Sequence, residues 1–368
     1  MENDLRNWFL SAALPLWSRF GVDYQEGGFF ERLNPDLIPT IEPRRARLIS
    51  RQIYFFSVGG YLGWNGPVDD LLDHGYKFLC TYLVTSSGNV RASCSSQGIL
   101  IDERQHLYDV AFVLIALAKL FQKNIYAAKV EALALSIVEQ LKCHNIGGYI
   151  DIVTPSTQCA NPHMHLFEAF IAWSSLKTFH QQFWIDRATS IANLAIKFLV
   201  IPETGLLPEY FDRNWRPLIN SGNFRIEPGH QFEWSWLLQT WALLNGDKAA
   251  QNAAFRLCRV AEQKGVDRKR NVVFEAIGDN LLPIDNTARL WQQTERLKAW
   301  HLQWSLTGNN EAKRFRDQAL SSILQFISGP KSGLWFDEMN EHGVIVLQPV
   351  KASTGYHLAC AIESLSIN

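Results

Sequence analysis

A short turn recurs along the chain at intervals of 58 to 66 residues. Each copy places glycine or asparagine before a brief apolar segment that ends in a charged residue, at 27–31, 88–91, 147–151, 205–209, 271–275 and 333–337. A fixed period of tens of residues is typical of one supersecondary unit repeated along a chain. The sequence therefore predicts six such units in its 368 residues, rather than two or three unrelated domains.

The segments between the turns space their apolar residues by three and four, which is typical of one helix face. The clearest of these segments are 107–121, 127–141, 165–179, 186–199, 231–244, 248–264 and 311–327. Each unit has room for two helices, and repeated helix pairs either stack as an open solenoid with polar capping repeats or close into a ring. Neither end has a capping repeat, so we predict an all-α, closed (α/α)6 barrel. Residues 1–368 would form one domain, with short β-turn hairpins at one end. A HEAT-like solenoid that binds a partner is the alternative.

Composition narrows the expected partners of such a barrel. Hydrophobic residues make up 47% of the chain and charged residues 19%, which is enough apolar material for a large core. The formal net charge is −1 and no basic segment is present, so we expect neither nucleic acid nor a membrane as a partner. The 13 Trp, 10 Tyr and 22 Phe offer flat faces on which a ligand can stack, and a sugar-sized pocket is one use for them.

The cellular location follows from the segments that the sequence lacks. The first residues are acidic and polar, where a signal peptide would be basic and then apolar, and no run reaches the roughly 20 apolar residues that cross a bilayer. We therefore expect a cytoplasmic protein. Separately, we expect the chain to be either a monomer or a homodimer. Its six cysteines form no C-x-x-C pair, which predicts reduced core residues rather than a thiolate zinc site.

Two histidine–glutamate pairs stand at predicted helix starts. His230 precedes Glu233 by three residues, and His165 precedes Glu168 by the same spacing, so each pair shares one helix face. A carboxylate beside a histidine can hold one tautomer and stabilise the imidazolium, which suits a general acid or base. The alternative for the pair of His230 and Glu233 is helix capping, with the glutamate favouring the helix dipole.

The same pairs allow a metal interpretation, since His and carboxylate ligands from several helices can form a dinuclear site inside a bundle. Such sites use Glu-x-x-His with further glutamates from facing helices, whereas here the order is reversed and no further carboxylate cluster is evident. We therefore expect no metal and no other cofactor.

Three further features belong to the predicted inner helices. His357 opens the last apolar helix, where a closed ring would return it to the cavity of the other histidines. Arg51 shares a face with Arg47 and is followed by apolar residues, so its permanent charge needs an oxygen-rich ligand or a buried ion pair. Trp291 and Glu295 are four residues apart on one face.

Six motifs in order resemble the N-acylglucosamine 2-epimerase family, which includes mannose isomerases, related aldose–ketose isomerases and cellobiose 2-epimerases. They are RQIYFF at 51–56, HLYDVAF at 106–112, MHLFEA at 164–169, PGHQFEW at 228–234, WQQTE at 291–295 and YH at 356–357. The resemblance implies an (α/α)6 barrel with a central sugar pocket, for which Trp291, Trp234 and Tyr108 become the candidate walls. It also implies acid/base roles for His357 and His230, and substrate-binding or orienting roles for Arg51, Tyr108, His165, Glu233, Trp291 and Glu295.

Proton transfer at C2 of a sugar needs an open-chain carbonyl, a base within about 3 Å and donors for the enediolate oxygens. On the resemblance, we expect His357 to act as the base and Arg51 to stabilise the enediolate. His230, oriented by Glu233, would assist ring opening and shuttle protons between oxygens, or reprotonate C2 in an epimerase. The Phe-Glu-Trp sequence ending at Trp234 resembles the mannose isomerase branch, so the predicted reaction is mannose to fructose or a close relative.

Other activities remain open from the sequence. The family alternatives are epimerisation of N-acetylglucosamine to N-acetylmannosamine, or of cellobiose. A glycoside hydrolase on the same barrel would need two opposed carboxylates, for which Glu233, Glu295 and Asp109 are candidates. A sugar-binding protein without catalysis is the remaining class, since one fold hosts many activities.

Overall fold

The computed structural model describes residues 1–151, 156–219 and 224–366. Twelve long helices follow one another in these ranges. They are α1 (2–20), α2 (Ala46–Tyr61), α3 (68–83), α4 (Leu107–Gln122), α5 (Ala127–Glu139), α6 (Ala160–Ser174), α7 (181–199), α8 (Pro228–Asn245), α9 (Lys248–Lys264), α10 (Leu290–Thr307), α11 (Asn310–Phe326) and α12 (Thr354–Leu365). α1, α3 and α7 each include one π-helical turn, at Phe9–Ala13, Leu79–Leu83 and Ala195–Leu199.

The even-numbered helices form a closed inner ring. Each packs against the next even-numbered helix, and α12 packs against α2. The odd-numbered helices from α3 to α11 lie outside, each against the inner helix that precedes it in the chain. Because the last inner helix contacts the first, the chain is a closed (α/α)6 barrel and not an open solenoid. The predicted fold class is confirmed.

Short antiparallel strands lie before the inner helices, at one end of the barrel. They pair as β1 (Arg32–Leu33) with β13 (Val350–Lys351), β2 (Arg44–Arg45) with β3 (Ser93–Cys94) and β4 (Leu100–Asp102), β5 (Gln158–Cys159) with β6 (Tyr210–Phe211), β7 (Val266–Asp267) with β8 (Val272–Val273), β9 (Ala276–Ile277) with β10 (Pro283–Asp285), and β11 (Ala288–Arg289) with β12 (Glu338–Met339). The pairs β2–β3, β5–β6 and β11–β12 join loops of successive repeats, and the pairing of β1 with β13 closes the ring. The other three pairs are hairpins within one loop.

The recurring turns have the backbone conformation that their residues favour. The first residue of all six has positive φ, from 56° at Asn271 to 151° at Gly147. Glycine adopts this region without steric cost, and asparagine is the next most tolerant residue. At Gly88 an added Cβ would lie 2.5 Å from the carbonyl of Ser136, so both conformation and space require glycine there. The turn therefore marks where each outer helix reverses toward the next inner helix.

The start of α6 differs from its prediction. The apolar pattern predicted a helix over 165–179, whereas α6 begins at Ala160 and ends at Ser174. Pro162 lies in the first turn of α6, where proline is tolerated because its missing N–H has no helical partner to lose. The earlier start matters because it places His165 at the second turn of an inner helix, close to the strand end of the barrel.

The composition-based predictions have mixed outcomes. Cys94, Cys258 and Cys360 are buried free thiols as predicted, but Cys80 and Cys143 are exposed. Among the described residues, no helix is both long enough and apolar enough to pass through a membrane.

Candidate active site

A cavity of about 250 Å³ opens at the strand end of the barrel, where the inner helices begin. Seven of the eight predicted site residues line it, and the eighth, Glu295, lies buried behind His357. The ring of inner helices explains the convergence, because each contributes the side chains of its first turns to the same axis. The lining residues are Arg51, Tyr108, Asn161, His165, Glu227, His230, Glu233, Glu275, Arg289, Trp291, Asp337, Lys351, Ser353, Thr354 and His357.

His357 lies at the start of α12 with its Nδ1 2.9 Å from Oε1 of Glu295. The other oxygen of Glu295 lies 2.6 Å from Nζ of Lys298, so the three groups form a buried relay. Burial, together with the positive charges of Arg51 and Lys298, lowers the pKa of His357 well below its usual value. The ring is therefore neutral. If Nδ1 carries the proton and donates it to Glu295, Nε2 carries an unshared lone pair. Nε2 has no hydrogen-bond partner among the described residues, so it is free to act as a base at the cavity.

His230 lies in the first turn of α8 and has the opposite protonation state. Its Nδ1 is 3.0 Å from Oε1 of Glu209 and 3.3 Å from Oε2 of Glu227. Burial alone would lower the pKa of His230, but these two carboxylates raise it to about 10. His230 is thus an imidazolium at neutral pH, and it lines the cavity as a proton donor.

The predicted orientation of His230 by Glu233 is wrong. Side chains in a helix lean toward its N-terminus, so His230 meets Glu227 one turn earlier rather than Glu233 one turn later. Glu209 comes from the loop before α8, and the sequence analysis did not include it among the site residues. It is, however, the charged residue that ends the recurring turn at 205–209, which is the signal that could have identified it.

His165 and Glu168 do form the predicted pair on α6. Nδ1 of His165 lies 3.1 Å from Oε2 of Glu168, whose other oxygen accepts a hydrogen bond of 2.5 Å from the hydroxyl of Tyr356. Burial lowers the pKa of His165 to about 4, so this ring is also neutral. Tyr356 thereby ties α12 to α6 next to His357, a role that was not predicted from the sequence.

Three buried carboxylates converge beneath the cavity, although the sequence analysis found no further carboxylate cluster. Glu233 approaches both Glu168 and Glu295, with His165 and His357 beside them. These side chains could offer ligand atoms to a metal, as could Glu209, Glu227 and His230, but an ammonium group already lies 2.6 Å from Glu295. The sequence reading missed the carboxylates because they come from three different helices.

Glu233 stands apart from the other two carboxylates. It is 1% exposed, and neither of its oxygens has a hydrogen-bond partner among the described residues. Burial, followed by the negative charge of Glu295, raises its pKa well above the usual value. The raised pKa favours the protonated form of Glu233, which lines the cavity and in that form can donate a hydrogen bond to a ligand oxygen.

Arg51 and two aromatic residues complete the cavity. Nη2 of Arg51 donates a 2.6 Å hydrogen bond to the Tyr108 hydroxyl, while its buried Nε has no partner among the described residues. None of the described carboxylates forms an ion pair with Arg51, so an oxygen-rich ligand is the better partner. Trp291 lies between the two catalytic candidates, with ring centroids 4.9 Å from His230 and 5.6 Å from His357.

The prediction that Trp234 lines the pocket is wrong. Trp234 is completely buried, stacked on Phe167 with 6.0 Å between ring centroids, and it is absent from the cavity wall. It follows Glu233 directly, and adjacent residues on a helix point about 100° apart. Because Glu233 faces the cavity, Trp234 is turned into the packing between α8 and α6.

Comparison with known proteins shows which family this barrel resembles. The family model described as N-acylglucosamine 2-epimerase (GlcNAc 2-epimerase) matches residues 28–361. The chain belongs to this family. As a member of the N-acylglucosamine 2-epimerase family, it is an enzyme of the epimerase and isomerase class, and the predicted family and enzyme class are confirmed.

Relatives within the family carry two kinds of name. A protein of Rhizobium meliloti (strain 1021) named mannose-6-phosphate isomerase is 35% identical over 370 residues, covering 98% of this chain and 96% of its own. The structure of cellobiose 2-epimerase from Bacillus thermoamylovorans B4167 superposes with a TM-score of 0.87 at 18% identity, covering 99% of this chain and 98% of that one. A crystal structure of D-mannose isomerase gives a TM-score of 0.84 at 20% identity, covering 97% of both chains.

Proposed function

We propose that this family member isomerises a free hexose between aldose and ketose at C2, with mannose and fructose as the substrate pair. The observation that carries the proposal is the difference in surroundings between two cavity histidines. His230 contacts two carboxylates, which favour its protonated form, whereas burial and nearby cations favour a neutral His357 with a free Nε2. A C2 proton transfer needs one base and one acid at the same carbon–oxygen unit.

The proposed isomerisation consists of two proton-transfer steps. Once the sugar ring is open, Nε2 of His357 removes the C2 proton while His230 donates its proton to the C1 carbonyl oxygen. The resulting enediol is held by Arg51 and by the neutral carboxyl group of Glu233. His357 then returns its proton to C1, and His230 takes the proton of the C2 hydroxyl, which produces the ketose and restores both histidines.

The difference between the two histidines favours isomerisation over epimerisation. An epimerase needs both groups to remove a proton from C2, one in each direction of the reaction. His230, with its pKa raised to about 10 by Glu209 and Glu227, is rarely in the neutral form that could do so near pH 7. It is suited instead to moving protons between oxygens. The isomerase names among the family relatives agree with this assignment.

The test is incubation with mannose, glucose, fructose, N-acetylglucosamine, N-acetylmannosamine and cellobiose in deuterated water, with products and C2 label measured together. Formation of fructose from mannose, with deuterium entering the product, supports the proposal. Formation of a labelled 2-epimer without ketose would replace it with epimerisation. Release of monosaccharides from cellobiose would indicate a hydrolase, and the absence of label in every sugar would indicate a binding protein.

We also expect the free hexose to be preferred to its 6-phosphate. Both signs of charge line the cavity: the cations are Arg51, Arg289 and Lys351, and the carboxylates include Glu227, Glu275 and Asp337. Arg289 is already paired with Glu275 at 3.1 Å, and a phosphate dianion would meet carboxylates among the cations, where like charges cost affinity. We predict a higher kcat/KM for mannose than for mannose 6-phosphate. A higher value for the phosphate ester, measured in the same buffer, would contradict this choice of substrate.

Substitution of Glu233 tests its proposed role as a neutral donor. We expect Glu233→Gln to keep most activity, because an amide donates a hydrogen bond without charge. Glu233→Leu, which has no donor, should lower kcat/KM about 10- to 100-fold, since the sugar oxygens gain negative charge in the transition state and hydrogen bonds to charged groups contribute about 1.5–3 kcal/mol. The measurement is steady-state kinetics of both variants at pH 7. Equal losses in the two variants would mean that Glu233 acts as a carboxylate.

A further inference from the structure

We propose that Lys298 is a positioning residue that sets the tautomer of His357 by keeping Glu295 ionised. Lys298 is completely buried on α10, one turn after Glu295, and it is absent from the cavity wall, so it acts through another residue. The inference rests on the proposed role of His357 as the base, and it adds a residue that neither the sequence motifs nor the resemblance indicated.

The contacts of Lys298 are directed at Glu295. Its Nζ lies 2.6 Å from Oε2 of Glu295, and the same ammonium stands 4.2 Å from the centre of the Trp236 ring. Oε1 of Glu295 is the acceptor for Nδ1 of His357, at 2.9 Å. One oxygen of the carboxylate thus binds the cation and the other binds the catalytic ring.

The surrounding charges make the cation necessary. Glu168 and Glu233 lie in the same buried cluster, and Glu168 already accepts hydrogen bonds from His165 and Tyr356. Without an ammonium group, a carboxylate in this cluster would be an unpaired buried anion, which is neutralised by protonation.

Protonation of Glu295 would reverse its hydrogen bond to His357. A carboxylic acid can donate to Nδ1, which would leave the ring proton on Nε2. The nitrogen facing the substrate would then have no lone pair, and it could not remove the C2 proton. Lys298 prevents this reversal by favouring the ionised carboxylate, so that Nδ1 is the donor and Nε2 the base.

The direct experiment compares the ring of His357 in the resting wild type and in Lys298→Met by ¹H–¹⁵N correlation of ¹⁵N-histidine-labelled protein. The His357→Asn spectrum assigns the signal. We expect the ring proton on Nδ1 in the wild type and on Nε2 in Lys298→Met. An unchanged tautomer would overturn the inference. This readout needs no turnover, so it is independent of whether mannose is the substrate.

Kinetics provide the second test. We expect Lys298→Met to lower kcat at least about tenfold, to change KM little, and to recover with rising pH as Glu295 loses its proton. The double variant Lys298→Met/Glu295→Gln should be as slow as Glu295→Gln alone, because the lysine acts only through that carboxylate. Multiplied losses, or a KM effect without a pH shift, would assign Lys298 a merely structural role. Should Lys298→Met not fold, Lys298→Gln keeps a hydrogen-bond donor and removes the same charge.

Discussion

The variant His357→Asn is expected to exchange no C2 proton for solvent deuterium in any sugar that the wild type converts. Asparagine keeps an N–H donor for Glu295 but has no group that can accept a proton near neutral pH. General bases contribute about 10² to 10⁴ in rate, so conversion should fall by that factor. The measurement is proton NMR of mannose in deuterated water, read at C2 and at C1 of fructose.

Binding and folding supply the controls for His357→Asn. Because the side chain is close in size and keeps the hydrogen bond to Glu295, the melting temperature and its increase with added sugar should resemble those of the wild type. A folded variant that binds sugar and still exchanges the C2 proton at the wild-type rate would remove His357 from the mechanism. The base would then have to be another cavity group, with His165 the next neutral imidazole.

The barrel could be predicted because its signal is repeated. Six turns with the same backbone requirement, each followed by helical spacing, are enough to predict paired helices. Because repeated helix pairs either stack as a solenoid with polar capping repeats or close into a ring, the lack of capping repeats predicts a ring. The sequence also identified most of the inward-facing residues, since motifs at the starts of alternate helices meet on one axis. Individual side-chain directions were harder to predict, as Trp234 shows, because they depend on where each helix begins.

The partners of the histidines were less predictable than the histidines themselves. In four repeats the acidic residue of the turn contacts the start of the next inner helix, 14 to 21 residues later: Glu31 with Arg45, Glu209 with His230, Glu275 with Gln292 and Asp337 with Thr354. The sequence displays the acid but not its target, because the loop between them determines the contact. Spacing rules found His165 with Glu168, and the same rule applied after Glu295 would have reached Lys298.

After His357, the largest loss of activity should come from substitution of His230, the proposed acid. His230→Gln keeps a neutral donor but cannot transfer a proton, so we expect kcat/KM to fall about 10² to 10⁴-fold. In a ketose-forming enzyme, C2 exchange should fall together with fructose formation, because both require protonation of the carbonyl oxygen. Continued exchange without any product would instead indicate that His230 delivers the second proton to C2, as in an epimerase.

The pH profile connects this loss to Glu209 and Glu227. The pKa of His230 is raised to about 10, so wild-type activity should decline only as the pH rises through about 10. Glu209→Gln removes one of the two charges that raise this pKa, so the alkaline decline should move to lower pH. A Glu131→Gln variant, remote from the cavity and paired with the exposed His180, serves as the control that leaves the profile unchanged.

The raised pKa of His230 also makes the free energy of unfolding depend on pH. This dependence has the opposite direction to that of a buried neutral histidine. A histidine whose pKa is higher in the folded state stabilises the fold fully below its unfolded value near 6.5, and this contribution is lost as the pH rises through about 10. The wild type should therefore lose more of its unfolding free energy between pH 6.5 and 10 than Glu209→Gln does, as measured by urea denaturation. If both lose equally, and the alkaline limb of activity stays in place, the two carboxylates do not hold His230 as an acid. Acid catalysis would then have to come from the neutral carboxyl group of Glu233.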